Sequence, residues 1–417
     1  LPILTEEKIT ESAVRLLTTR YLLGLFDGSE YDKIPYSVVE CKEHIDEALK
    51  MARKSCVLLK NDGVLPIDKT KVNTIGVIGP NANSRAALIG NYHGTSSEYI
   101  TVLEGIREEA GDDVRILYSQ GCDLYKDKVE NLAWDQDRIS EAVITAENSD
   151  VVILCVGLDE TLEGEEGDTG NSDASGDKVD LHLPKVQEEL IEKVTAVGKP
   201  TIVVLMAGSA IDLNYAQDNC NGILLAWYPG ARGGRAIADL LFGKESPSGK
   251  LPITFYKDLE GMPEFTDYSM KNRTYRYMEK EALYPFGYGL TYSDTCVTEA
   301  EVVSEVSAES DIMLKATVKN NGTVDTDEVV QVYIKDLDSP LAVRNYSLCG
   351  FKRVSLKAGE EKTVEFTISN KAMNIVDEDG NRYIAGKHFR LFAGVSQPDT
   401  RSAELTGHKP AEVEIAL

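Results

Sequence analysis

The sequence predicts an α/β layered sandwich with a mostly parallel sheet, followed by an all-β sandwich. Two observations support this prediction. Between residues 74 and 254, short apolar runs alternate with amphipathic helical patterns, whereas after Gly289 apolar residues recur at every second position. The chain has 417 residues, which is long enough to bury two separate hydrophobic cores.

The apolar runs of the first region are rich in Val, Ile and Leu, as in strands that are buried on both faces. They occupy residues 74–79, 114–118, 151–157, 201–206 and 222–227. Between the third and fourth runs, residues 184–197 place Val186, Leu190, Ile191 and Val194 on one stripe with charges opposite. This pattern is typical of a helix that covers a sheet. The alternation therefore predicts a layered α/β domain.

The second region has the period of β-strands. Its alternating apolar positions are Ile312, Leu314, Ala316, Val318, Val330, Val332, Ile334, Val364, Phe366 and Ile368. Turn signals such as Asn321-Gly322 and Asp379-Gly380 separate the runs. Roughly seven short strands predict an antiparallel sandwich of the immunoglobulin or fibronectin III type. Residues 285–289, punctuated by Pro and Gly, predict a hinge before it.

The first helical pattern of the chain lies near its beginning. Val14, Leu17, Tyr21 and Leu22 share one helix face, and Gly24 is placed as a C-terminal glycine would be. The chain opens on Leu-Pro without a methionine. We therefore expect an amphipathic helix that packs on another element, in a chain cut from a longer polypeptide.

The composition of the chain limits the classes of partner that it is expected to bind. The formal net charge of −25 disfavours nucleic acid and anionic membranes, because both would repel the chain. No apolar run approaches the roughly 20 residues that span a bilayer. The seven cysteines are widely spaced without a CxxC pair, which favours reduced thiols and a cytoplasmic rather than secreted protein, unless an upstream signal was removed.

The segment GLDETLEGEEGD at residues 157–168 is the densest acidic stretch of the chain. It follows the apolar run 151–157, and the carboxyl ends of strands in an open α/β sheet are where catalytic and ligand-binding groups gather. A solvated charge run is the alternative. A calcium site is a weaker one, because the spacing of four oxygen-bearing residues does not fit an EF-hand loop; they are Asp168, Asn171, Asp173 and Asp177.

Two further segments are candidates for binding. The glycines of residues 227–235 match no phosphate-binding pattern, so close backbone packing is favoured over nucleotide binding. Tyr92 and His93 form a loop-borne aromatic pair that could stack on a sugar ring or simply fill a loop. No Ser/His/Asp order, HExxH motif or metal-ligand spacing of histidines is present in the sequence.

Taken together, these segments resemble glycoside hydrolase family 3 from about residue 9 to 395. The matching phrases are ARKSCVLLKNDGVLP at 52–66, GNYHGT at 90–95, AWYPGARGGRA at 226–236, SGKLP at 248–252, LYPFGYGLTY at 283–292 and GFKRVSLKAG at 350–359. The GNYHGT phrase, the acidic loop and RTYRY at 273–277 resemble the β-xylosidase branch. β-Glucosidase or arabinosidase activity is the alternative within the family.

The resemblance implies part of a retaining exo-acting β-glycosidase that removes nonreducing-end sugars. It divides the chain into a trailing barrel helix and linker at 1–40, an α/β sandwich domain at 41–258, a connecting segment at 259–290 and a fibronectin III-like domain at 291–417. The family's nucleophile is an aspartate on a (β/α)8 barrel that would precede these residues. We therefore expect the chain to be inactive without a barrel domain or chain, and to act with it on a β-linked oligosaccharide or aryl glycoside.

The resemblance also implies the acid/base residue. In the family it is usually a glutamate three residues before an Asp-Arg pair, which gives Glu165 by counting back from Asp168. Thr169 replaces the arginine here, so Glu163 and Glu166 are rival assignments. Tyr92 and His93 are the expected substrate contacts. No cofactor and no metal are expected, and a homo-oligomer is possible.

A function of another class is a noncatalytic carbohydrate-binding or scaffolding module. Tyr92, His93 and Trp227 would then be its contact residues. Loss of turnover with retained binding after Glu165→Gln in the intact assembly would separate catalysis from this reading.

Overall fold

A computed structural model of the chain describes residues 4–126, 136–165 and 178–417. The chain divides into two compact units, Leu1–Glu47 and Ala48–Leu417. Within the described ranges, no helix is both long enough and apolar enough to cross a membrane.

The first unit begins with the predicted helix, α1, at Glu6–Leu22. Thr5 caps it by accepting a hydrogen bond from the Lys8 amide at 3.3 Å. Gly24 follows the helix with a φ of 73°, which confirms the predicted glycine at its end. α1 has no buried residue, and its packing on a barrel stays a prediction. Two 3-10 helices follow, at Glu30–Lys33 and Tyr36–Val38.

Helix α2 crosses the boundary between the units, and the remaining helices lie in the second. The helices are α2 Lys42–Ser55, α3 Ala86–Ile89, α4 Val102–Ala110, α5 Asp137–Glu147, α6 Lys185–Thr195, α7 Asn214–Asn219, α8 Gly233–Leu241, α9 Thr274–Tyr277 and α10 Thr400–Thr406.

The strands of the second unit fall into an α/β part and a β part. Those of the α/β part are β1 Val57–Asn61, β2 Thr74–Ile78, β3 Arg115–Ser119, β4 Val151–Gly157, β5 Thr201–Met206 and β6 Gly222–Leu225. Those of the β part are β7 Thr295–Val302, β8 Ile312–Asn320, β9 Thr326–Asp336, β10 Ser347–Leu356, β11 Glu361–Ile368, β12 Asn374–Val376, β13 Arg382–Ile384, β14 His388–Gly394 and β15 Ala411–Ala416.

The α/β part is built on a six-stranded sheet in the order β1-β6-β5-β4-β2-β3. β2 to β6 are parallel, and β1 pairs antiparallel with β6, so the predicted mostly parallel sheet is confirmed. The strand β1 was not among the predicted runs. Every residue of β4 and β5 is buried, as expected of a sheet covered on both faces.

Side chains of one strand alternate between two cores. Val152, Leu154 and Val156 of β4 point into the core that also holds Leu190 and Val194 of α6. Residues of opposite parity on β4 point into a second core beneath α4 and α8. The stripe predicted on α6 is therefore confirmed as the surface that covers the sheet.

The β part is the predicted antiparallel sandwich. Four strands form one sheet, β10-β9-β14-β15, and three form the other, β11-β8-β7, with β12 and β13 as a separate ribbon. The burial of β8 alternates strictly, with Ile312, Leu314, Ala316 and Val318 all fully buried. These residues fill the space between the two sheets, as the period-two pattern predicted.

Residues 285–289 are held in place rather than free, so the predicted hinge is wrong. Tyr284 and Tyr288 lie in the α/β core, and the Tyr288 hydroxyl donates to the carbonyl of Leu59 at 2.9 Å. The Gly287 amide donates a hydrogen bond to the carbonyl of Leu251 at 2.7 Å. Buried aromatic side chains and backbone hydrogen bonds make this segment part of the core. The domain boundaries inferred from the resemblance stay predictions.

All seven cysteines are free thiols. Burial raises the pKa of Cys56 and Cys220 to about 12. These thiols therefore stay protonated near neutral pH, which fits packing rather than reactivity. The compartment in which the protein works stays a prediction.

Candidate functional site

The candidate site lies where four strands of the α/β sheet end. β2, β4, β5 and β6 are parallel neighbours, so their carboxyl ends meet at one edge of the sheet. The segments that follow them carry Tyr92, Glu163 and Glu165, Gly208, and Tyr228, respectively. This edge is where ligand sites of open α/β sheets form.

Glu163 is fixed by two hydrogen bonds. Its Oε2 accepts from the Gly208 amide at 2.7 Å and from the Tyr228 hydroxyl at 2.6 Å. Burial, and next the negative charge of Glu163, raise the pKa of Tyr228 far above its usual range. Tyr228 is therefore always a donor, and Glu163 joins the ends of β4, β5 and β6.

The ring of Tyr228 lies against two glycines. A Cβ atom at Gly90 would lie 2.7 Å from Cδ2 of the ring, and one at Gly208 would lie 3.0 Å from Cε2. Gly90 also has a φ of 59°, which side-chain-bearing residues rarely adopt. The glycines thus let one aromatic ring contact the segments that follow β2 and β5.

Glu165 and Tyr92 are brought together by the fold. The Tyr92 hydroxyl donates a hydrogen bond to Oε2 of Glu165, although the two residues are 73 positions apart. His93 lies next to the same acidic segment, with Nε2 3.4 Å from Oε2 of Glu160. Glu165 is exposed, and Tyr92 is 80% exposed.

Two aromatic residues at this edge have strained backbones. Tyr92 has a φ of 55° and Trp227 a φ of 58°, in the left-handed region that bulky residues rarely occupy. Such outliers concentrate at active sites and ligand-binding sites. Trp227 also donates its indole N–H to the carbonyl of Ser55 at 3.1 Å, so one edge of its ring is already engaged.

Some of the predicted residues lie outside the described ranges. Glu166 and the four candidate calcium ligands, Asp168, Asn171, Asp173 and Asp177, are among them. In the three ranges that are described, no group of His, Cys, Asp or Glu side chains could hold a metal ion.

Sequence reasoning missed two residues that contribute to this edge. Tyr228 lies in the glycine-rich segment 227–235, for which we predicted close backbone packing, and no local pattern distinguishes its side chain. Lys178 belongs to none of the sequence motifs described above. Its Nζ donates hydrogen bonds to Oγ of Ser209 at 3.0 Å and to the carbonyl of Ala210 at 2.9 Å. Burial lowers the pKa of Lys178, and the charge of Glu163 opposes that shift.

Comparison with known families assigns both parts of the chain. Residues 56–292 match the glycosyl hydrolase family 3 C-terminal domain, and residues 328–397 match the fibronectin type III-like domain.

Curated relatives align with nearly the whole length of the chain. A β-xylosidase of Formosa agariphila is 35% identical over an alignment of 415 positions that covers 95% of this chain and 55% of that protein. The periplasmic β-glucosidase of Salmonella typhimurium is 31% identical, over 94% of this chain and 54% of that protein. The chain thus spans about half the length of these relatives.

Comparison with solved structures gives similar proteins of the same kind. A β-glucosidase of Erythrobacter marinus superposes with a TM-score of 0.82 at 31% identity, covering all of this chain and 56% of that chain. A family 3 exo-β-xylosidase in complex with a xylobiose aziridine probe superposes with a TM-score of 0.83 at 26% identity, covering 99% and 54%. On sequence and fold together, the chain belongs to glycoside hydrolase family 3.

Proposed function

We propose that this chain supplies the acid/base residue of a retaining exo-acting β-glycosidase, and that the enzyme is a β-xylosidase. The observation that carries the proposal is the hydrogen bond from Tyr92 to Glu165 at the carboxyl edge of the sheet. This hydrogen bond connects Glu165, which the family motif indicates as the acid/base residue, to Tyr92, which the sequence predicted as a sugar contact. The relatives named as β-xylosidases support the choice of sugar.

Retaining hydrolysis needs two carboxyl groups about 5–5.5 Å apart. In this proposal, Glu165 protonates the glycosidic oxygen while an aspartate of a (β/α)8 barrel attacks the anomeric carbon. Glu165 then removes a proton from the water that releases the sugar. Tyr92 donates a hydrogen bond to this carboxylate and thereby helps to orient it.

Glu163 is a poor rival for this role. Its Oε2 already accepts hydrogen bonds from the Gly208 amide and the Tyr228 hydroxyl, so this oxygen is engaged in joining the ends of β5 and β6. Glu165 instead lies exposed at the edge. A general acid needs some burial to be protonated near neutral pH, and we propose that the barrel supplies it when it covers this edge.

The sugar contacts follow from the same geometry. Tyr92 remains 80% exposed while its hydroxyl is engaged, so its ring face is available to a sugar. His93, beside Glu160, is close enough to contribute a second polar contact. A β-glucosidase is the second candidate, because proteins with that name are also among the relatives.

The test is a reconstitution. The chain alone, a family 3 barrel polypeptide alone and the two together are assayed with p-nitrophenyl β-xyloside and the matching β-glucoside. We expect hydrolysis only by the combination, with the xyloside preferred. Hydrolysis by the isolated chain would contradict the proposed division of catalytic groups.

A noncatalytic carbohydrate-binding module makes a different prediction for the combination. In the proposed enzyme, Glu165→Gln abolishes most turnover but leaves binding of a xylose-derived inhibitor within a few fold. If the chain were only a binding module, the Glu165→Gln substitution would not change turnover by the combination. Equal turnover by wild type and Glu165→Gln would refute the assignment of Glu165.

A further inference from the structure

We propose that Tyr228 is the positioning residue of the acid/base segment: it holds Glu163 against the end of β5 and thereby fixes where Glu165 lies. This inference rests on the proposed function of Glu165. Tyr228 itself does not touch substrate in this account, and its effect passes through Glu163.

The contacts form a continuous chain from the sheet to the segment. The ring of Tyr228 packs against Gly90 and Gly208, and its hydroxyl donates to Glu163 at 2.6 Å. Glu163 also accepts from the Gly208 amide at 2.7 Å. Glu165 is only two residues further along the chain, so its backbone position depends on this attachment.

A second attachment lies on the other flank. Lys178 donates to the side chain of Ser209 and to the carbonyl of Ala210. Residues 208–210 therefore anchor the chain on both sides of the acid/base residue, through Glu163 before it and Lys178 after it. Because Tyr228 and Glu163 come from segments 65 residues apart, the attachment is tertiary and not a property of the loop alone.

The charges that face the Tyr228 hydroxyl argue against a role in proton transfer. Glu163 and Asp159 both present negative charge to it, and burial is the largest cause of its raised pKa. The hydroxyl therefore keeps its proton at any pH at which the enzyme works. A positioning role uses what such a hydroxyl offers, which is a permanent hydrogen bond to a carboxylate.

The kinetic test uses the assembled enzyme with Tyr228→Phe, and with Tyr215→Phe as the matched control. Tyr215 lies on α7, and its hydroxyl shares a hydrogen bond with the Thr195 hydroxyl at 3.1 Å. We expect Tyr228→Phe to lower kcat/KM for phenyl β-xyloside by about 10- to 100-fold, as misplacement of a catalytic group does. With 2,4-dinitrophenyl β-xyloside, whose leaving group needs no proton, the loss should stay below about threefold.

Equal losses on both substrates would overturn the inference, because they would indicate general damage to the site. An unchanged kcat/KM on phenyl β-xyloside would overturn it as well. Glu165→Gln, run beside it, distinguishes the two failures. If Glu165→Gln loses activity selectively on phenyl β-xyloside and Tyr228→Phe does not, the positioning role alone is wrong; if neither does, the proposed function is wrong too.

A direct structural readout needs no activity. Hydrogen exchange of the Gly208 amide, measured on the whole chain, should be about tenfold faster in Tyr228→Phe than in wild type, because Glu163 is held less firmly as its acceptor. Tyr215→Phe should leave that amide unchanged. Identical exchange in Tyr228→Phe and wild type would overturn the attachment whatever the kinetics show.

Discussion

Two glutamates of this chain, Glu165 and Glu328, show how burial decides what a carboxylate can do. Glu328 on β9 is 1% exposed and pairs with Lys250 at 2.8 Å, and it also accepts from the Thr295 hydroxyl at 2.6 Å. Glu165 is exposed at the sheet edge and accepts from Tyr92. The first carboxylate is fully committed to joining the α/β part to the sandwich, whereas the second is accessible to substrate.

The two carboxylates differ in whether a ligand can reach them. Glu328 holds its partners together, because the loss of either partner would leave an unpaired polar group or charge in the core. Glu165 keeps a side chain that a ligand or a partner surface can reach. The same residue type is therefore structural in the joint between the two parts and accessible at the strand ends.

The largest expected effect is in the joint. Lys250→Met would leave Glu328 buried without its countercharge, and removal of one partner of a buried ion pair costs about 3–5 kcal/mol of unfolding free energy. Urea unfolding followed by tryptophan fluorescence measures the change. Lys257→Met is the control, because Lys257 pairs with Glu281 at the surface and should cost less than about 1 kcal/mol. Equal costs for both variants would contradict the contrast between buried and exposed pairs.

Gly90→Ala should have the next largest effect. It places a Cβ 2.7 Å from the Tyr228 ring and forces a φ of 59° on alanine, which we expect to cost about 1–3 kcal/mol. Gly94→Ala is the matched control, because a Cβ there meets no heavy atom within 4 Å. Thermal unfolding of both variants checks the prediction. A Gly90→Ala protein as stable as Gly94→Ala would show that the ring is not held as described.

A smaller, pH-dependent effect is expected at Asp327 in the joint. Burial raises the pKa of Asp327, but hydrogen bonds from Ser355 and Lys54 outweigh burial and hold it below its usual 3.8. A lowered folded pKa means that the stabilisation is complete above 3.8 and is lost as the pH falls through the folded value. The stability difference between wild type and Asp327→Asn should therefore shrink below pH 3.8. A difference that grew on acidification would contradict the sign.

The smallest effect on stability is expected at Glu165. Its side chain is exposed, so Glu165→Gln should change the unfolding free energy by no more than about 0.5 kcal/mol. Differential scanning calorimetry of the chain measures this. A loss comparable to that of Gly90→Ala would indicate a structural role for Glu165 and remove the contrast with Glu328.

Much of the fold was predictable because it follows from local patterns. Short apolar runs identified β2 to β6, and strict alternation identified the inward residues of β8. Strand β1 was not predicted because it begins only two residues after the end of helix α2, without a turn signal between them, and because its pairing partner Leu225 lies far along the chain. The hinge predicted at residues 285–289 from their Pro and Gly residues was wrong for a similar reason. Tyr284 and Tyr288 pack in a core whose other residues are distant in sequence.

The candidate site was predictable only in part. Glu165 could be selected from a motif, and Tyr92 from its loop-borne ring. Their hydrogen bond, and the attachment of Glu163 to Tyr228, join residues 73 and 65 positions apart. No local pattern encodes such contacts, because they depend on the order of strands in the sheet. The raised pKa of Tyr228 is likewise a consequence of tertiary burial.

The most direct test of the central claim is the dependence of the Glu165→Gln enzyme on its leaving group, measured after assembly with a barrel. The account predicts a loss of about 100-fold or more in kcat/KM for phenyl β-xyloside, little loss for 2,4-dinitrophenyl β-xyloside, and partial recovery of turnover with azide. Glu163→Gln should lack the azide response. If Glu163→Gln, and not Glu165→Gln, showed this pattern, the proton donor would be the wrong glutamate.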